Sequence, residues 1–156
     1  MIRLEFLFPG KTRESYLAAG IDDFRNRLAN YAEVEIKVLK EIKPGRKPEA
    51  QVRQEEGRAL LARLTPKTLI VAMDPAGRAL SSEELSDRLT DWEDSGRRHL
   101  TFLVGGALGL APEVLARADF KLSLSRLTFT HEMARLLLME QLYRAFNIRL
   151  GTGYHK

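Results

Sequence analysis

The chain contains no cysteine. Disulfides, thiolate zinc sites and cysteine nucleophiles are therefore excluded, and a reducing compartment is allowed. Histidine is scarce too, and His99, His131 and His155 are too few and too scattered to suggest a metal site. Long apolar runs are missing. The opening MIRLEFLFPGK is interrupted by Arg3 and Glu5 and is too short for a signal sequence, and no later stretch approaches a membrane span. A soluble, cytoplasmic protein is expected. Charge is nearly balanced, with 25 Lys and Arg against 21 Asp and Glu, net +4, which permits a nucleic-acid partner without requiring one. Several catalytic signatures are absent as well. Without a Walker A lysine, an H-E-x-x-H helix or a G-x-S-x-G elbow, phosphoryl transfer, zinc hydrolysis and serine hydrolysis lack their residues.

What is present describes one ordinary domain over residues 1–156, with 44% hydrophobic content and no repeat, low-complexity tract or linker. Ile2 to Phe8 reads as a first strand, stopped by Pro9-Gly10. Leu17, Ile21, Phe24 and Leu28 recur at helical steps and predict an amphipathic helix lying on a sheet. Glu33 to Leu39 alternates, with Val34, Ile36 and Val38 on one side, as a half-exposed edge strand would. The basic loop Lys40 to Lys47 then leads to Pro48, a first-turn residue for a helix through Leu64. That loop suits a solvated connection and RNA-phosphate contact about equally.

Thr68 to Met73 (TLIVAM) and Leu100 to Val104 (LTFLV) are uninterrupted apolar runs, as in a parallel sheet covered on both faces. Asp74-Pro75-Ala76-Gly77 predicts a turn after the first of them. Ser81 with Glu84 forms a capping box for a helix whose stripe is Leu85, Leu89 and Trp92. A short helix from Pro112 to Ala118 and a strand near Phe120 to Leu124 follow. The last helix, Met133 to Phe146, carries more apolar residues than one stripe holds and predicts burial on more than one side. By local pattern alone it is a core helix after a tight loop. Strands and helices alternate five times, so the fold class is α/β with a mostly parallel sheet flanked by helices.

In such sheets ligands sit beyond the carboxyl ends of the strands, which singles out the loops after Met73, Val104 and Leu124. Gly105, Gly106 and Gly109 allow close backbone approach, although a glycine turn that serves only the bend fits equally. G-G-x-x-G is not the dinucleotide fingerprint, and no acidic residue follows at the distance a ribose would need, which argues against a nucleotide-dependent oxidoreductase. His131 opens the last helix, in a structural or a catalytic role. The tail Gly151-Thr152-Gly153-Tyr154-His155-Lys156 offers an aromatic ring, an imidazole and a cation that could face RNA.

Taken together, FLVGGALGL, LSLSRLTFTHEMARLLLMEQLYRAF and the terminal YHK resemble the SPOUT methyltransferases, in particular their large-subunit ribosomal RNA methyltransferase H group. The resemblance spans the whole chain. It implies a C-terminal trefoil knot threaded by the segment around Leu122 to Phe129, against the general rule that chains are unknotted. It also implies a homodimer packed through that region, and S-adenosylmethionine held by Met73, Gly105, Gly106, Leu124, Ser125, Arg126, Leu127, Thr128 and Phe129. The reaction implied is N3-methylation of a pseudouridine in 23S rRNA on assembled ribosomes, without a metal. Arg144, Tyr154 and His155 are the implied acceptor-side residues: Arg144 for phosphate or base contact, Tyr154 for stacking, and His155 for proton removal or base orientation. Relatives often carry proline beside the histidine of the last helix, whereas here Thr130 and Glu132 flank His131, and Thr130 is itself a good N-cap. The reading from another class is a noncatalytic, ribosome-associated RNA-binding module that keeps the fold without the activity.

Overall fold

The computed structural model, which describes residues 1–156, runs β1 (Ile2–Pro9), α1 (Ser15–Leu28), β2 (Ala32–Leu39), α2 (Glu49–Ala62), β3 (Leu69–Ala79), α3 (Ser82–Asp94), β4 (His99–Leu103), α4 (Pro112–Arg117), β5 (Phe120–Ser123) and α5 (His131–Leu150). The five strands form one sheet in the order β2-β1-β4-β3-β5, and every pairing is parallel. This is the expected architecture, with the alternating strand β2 at one edge. Parallel neighbours need crossovers, and the helices that supply them cover both faces of the sheet.

On one face α1, α3 and α5 close a core that includes Leu4, Phe6, Phe102, Leu89 and Leu142. On the other, α2 and α4 cover a smaller cluster built on Leu7, Leu60, Leu103, Ile70 and Val114. Gly57 lets these two short helices meet, because a Cβ there would stand 3.0 Å from Val114 and 3.2 Å from Ala111.

Two expectations change. Asp74 to Gly77 does not end its strand: Met73 and Arg78 both pair with Leu122, so four residues bulge out and the ladder resumes. The local turn chemistry is still expressed, since the Asp74 carboxylate accepts a hydrogen bond from the Ala76 amide at 3.1 Å. Pairing with β5, which the local sequence does not contain, carries the strand on. In β2, Val38 is 47% exposed instead of sharing a covered face with the partly buried Val34 and Ile36, while Leu39 next to it is buried against the other face.

The helix ends follow their residues. Ser81 and Glu84 form both bonds of the capping box on α3. Thr130 caps α5, its hydroxyl accepting from the Met133 amide at 3.2 Å. Gly151 closes α5 in the left-handed conformation, φ 64°, and turns the tail back along the helix.

Candidate active site

The bulge within β3 and the loops after β4 and β5 meet and enclose a cleft of about 290 Å³. Met73 leads into the first of these three segments. The second folds tightly at Gly105 to Gly109: the Gly109 amide donates to the Gly106 carbonyl at 3.0 Å, and Gly109 takes φ 81°. A Cβ on Gly105 would lie 2.7 Å from the Gly109 carbonyl carbon, so that glycine is required by the bend itself. Gly106 differs, for its Cβ position lies 3.0 Å from both carboxylate oxygens of Glu56.

The third loop, after β5, spends its hydroxyls on its own shape. Ser123 Oγ donates to the Ser125 carbonyl at 3.0 Å, and Ser125 Oγ accepts from the Leu127 amide at 2.9 Å. Leu124, Ser125, Leu127, Thr128 and Phe129 line the cleft. Arg126 does not; the Ser125 turn leaves it exposed and outside the cleft wall. Of the nine residues expected to hold a cofactor, the fold thus gathers eight around one space, with His131 and Ala134 of α5 as its floor. Leu127 is 72% and Phe129 37% exposed, an unusual state for side chains of this size.

α5 is held at the cleft by a pair of charges that periodicity alone could not find. Arg135 is fully buried, and its guanidinium donates to the Pro9 carbonyl (2.9 Å), the Gly10 carbonyl (3.1 Å) and the Thr12 hydroxyl (3.0 Å), stacked 4.6 Å from the Phe8 ring. Burial draws its pKa down, the Glu132 charge opposes this, and Nε alone is left without a partner. One turn earlier, Glu132 accepts from the backbone amides of Arg13 (2.7 Å) and Glu14 (3.0 Å). α1 has no side-chain cap of its own, so Glu132 caps it from across the molecule. Burial pushes the Glu132 pKa up; the two amides and His131 outweigh this and hold it below the usual range. His131 is held below its ordinary value by burial first and by Arg135 second.

Arg144, Tyr154 and His155 come together at the far end of the same helix. Arg144 donates to Glu140 at 2.6 Å, lies 4.9 Å over the Tyr154 ring and stands 3.2 Å from His155 Nδ1. His155 Nε2 reaches Glu83 at 2.7 Å. A guanidinium can only donate, so Nδ1 is the acceptor and Nε2–H donates to Glu83, which selects the neutral Nε2–H tautomer. Tyr154 meets Tyr143 edge-on at 4.9 Å, and burial raises its phenol pKa. Ten residues separate Arg144 from Ala134 at the cleft, about 15 Å along a helix. Within one protomer the two groups of candidates are therefore apart.

The whole chain compares closely with known proteins. Residues 2–155 match the family described as "Predicted SPOUT methyltransferase". The chain belongs to the SPOUT methyltransferase family. Among curated SPOUT relatives, the ribosomal RNA large subunit methyltransferase H of Desulforamulus reducens is 46% identical over 100% of both chains. That of Desulfotalea psychrophila is 45% identical over 97% of this chain and 98% of its own. TrmJ from Z. mobilis shares the fold at 12% identity, with a TM-score of 0.54 over 93% of this chain and 70% of that one. No helix is long and apolar enough to cross a membrane, and no group of three or more His, Cys, Asp or Glu is placed to hold a metal ion.

Proposed function

We propose that this SPOUT methyltransferase is an S-adenosylmethionine-dependent enzyme that methylates N3 of a pseudouridine in 23S rRNA on assembled ribosomes. The observation that carries the reading is the cleft: three segments distant in sequence, the β3 bulge and the loops at the carboxyl ends of β4 and β5, enclose one largely apolar space suited to an adenosyl group. The names of the full-length relatives support large-subunit rRNA as the substrate. The 105–109 bend, which a Cβ on Gly105 would break, and the self-bonded 123–127 turn present a preformed wall. When bound, the sulfonium cofactor supplies an activated methyl group, which leaves the protein to align the acceptor and manage its N3 proton.

The 15 Å between cleft and tail supports a homodimer. Leu127 and Phe129 are exposed, Phe129 shares a hollow with the half-buried Leu137 of α5, and Met133 lies one turn before it, the surface a second copy would cover. Such a partner brings its own Arg144, Tyr154 and His155 to the acceptor side, where Tyr154 stacks on the base and Arg144 meets base or phosphate. The Nδ1 lone pair of His155 faces Arg144, which favours orientation of the base over proton removal for this residue. The segment Leu122 to Phe129 is read as the threaded part of a trefoil knot, supported by the walls it shares with the other two segments. The chain acts as a single domain in the cytoplasm.

Calorimetric titration with S-adenosylmethionine, in the parent and in Gly106→Trp, tests the reading. Saturable binding by the parent and its loss in a folded variant is the expected result. A folded, dimeric parent that binds none would overturn it in favour of an RNA-binding module.

A further inference from the structure

Glu56, on α2, is one of the few polar side chains in the molecule whose buried oxygen has no hydrogen-bond partner. Burial and the nearby Glu41 raise its pKa, as expected of a carboxyl with nothing to bond. Its carboxylate lies against Gly106, and a second cavity of about 340 Å³ opens beside it. Gly106, Ala107, Leu108 and His131 line both this cavity and the apolar cleft, so the two spaces share one wall.

The charges around Glu56 are otherwise settled. Glu41 pairs with Arg13, Lys47 pairs with Glu55 at 2.9 Å, Glu49 is exposed, and burial holds His131 toward its neutral form. What remains is a sheltered acid that calls for a donor, since buried polar groups are rarely left unbonded. A bare metal ion is a poor match, because no trio of His, Cys, Asp or Glu stands within reach of one another. A primary ammonium, with three N–H donors, satisfies the orphan oxygen; a sulfonium carries no N–H and does not.

We infer that Glu56 anchors the α-ammonium group of the cofactor, whose adenosyl part fills the apolar cleft while its amino-acid part passes Gly106 into the second cavity. This rests on the cleft being the S-adenosylmethionine site. Gly106 then has a reason beyond the bend: any side chain would stand between the carboxylate and its ligand.

The test is calorimetric titration of the parent and of Glu56→Gln with three probes: S-adenosylmethionine, S-adenosylhomocysteine and 5′-methylthioadenosine, which lacks the amino-acid part. The expected result is an affinity loss of about tenfold or more for the first two and none for the third. Urea denaturation of the ligand-free proteins accompanies it, with the variant expected to be at least as stable as the parent, since no bond of Glu56 Oε1 is lost. Equal loss for all three probes, unchanged affinity for the first two, loss for the sulfonium alone, or a destabilised variant would each overturn the assignment. A parent that binds none of the three would instead overturn the cofactor reading beneath it.

Discussion

Two charged side chains, Arg135 on one side of the sheet and Glu56 on the other, differ in how their polar atoms are met. On the α1/α3/α5 face, where the core cluster holds 20 buried residues, Arg135 is sealed from solvent; each of its terminal nitrogens has a partner and only Nε has none. On the α2/α4 face the cluster holds seven, and Glu56 keeps an oxygen with no partner beside a cavity. Arg135, bonded at both terminal nitrogens, joins elements, as Glu5 does through Thr65 and Lys37; Glu56, with no bond at Oε1, is left for a ligand. The contrast separates residues that build the site from those that would use it.

Arg135→Ala should produce the largest effect. It removes the Phe8 stack and leaves two buried carbonyls unbonded, which predicts a loss of about 3 kcal/mol or more, read from the urea midpoint. An unchanged midpoint would erase the contrast between Arg135 and Glu56.

Glu132→Ala comes next, with a loss of about 1–2 kcal/mol at neutral pH through the missing cap of α1. The pH dependence has a definite sign. The folded pKa of Glu132 is depressed, so its contribution is present above the unfolded carboxylate pKa and is lost as pH falls through the folded value. Glu5, pushed up by burial but held lower overall by Thr65, His99 and Lys37, adds to the same acid window. Parent stability should therefore fall below about pH 4, less steeply in Glu132→Ala.

Glu56→Gln should have the smallest effect on stability and the opposite sign. A raised folded pKa means a penalty that grows as pH rises through it, so the variant gains less than about 1 kcal/mol at neutral pH and nothing in acid. A gain that persists below the carboxylate range would point to packing instead of charge.

These residues also mark where the sequence could and could not be read. Element order, the parallel sheet and the edge position of β2 were legible because each follows from period 2.0, period 3.6 or an apolar run. The three cleft segments were legible because parallel sheets place their crevices by rule. The continuation of β3 past Gly77 was not, since its reason lies in pairing with residues 122 and 123. Nor were the partners of Arg135 and Glu132, which sit more than 100 residues away. Glu56 lies in the run RQEEGR, where nothing local tells its sheltered carboxyl from the exposed-looking neighbours. The separation of the tail from the cleft followed only from where α5 begins and ends.

The cap that Glu132 places on α1 has a consequence in time. Glu14 and Glu132 are 118 residues apart, so at synthesis rates of about 5–20 residues per second the first helix exists for roughly 6–24 s before its cap has been made. A nascent chain thus carries an unfinished amino-terminal helix until α5 emerges. A chain that ends before residue 132 never gains the acceptor for the Arg13 and Glu14 amides.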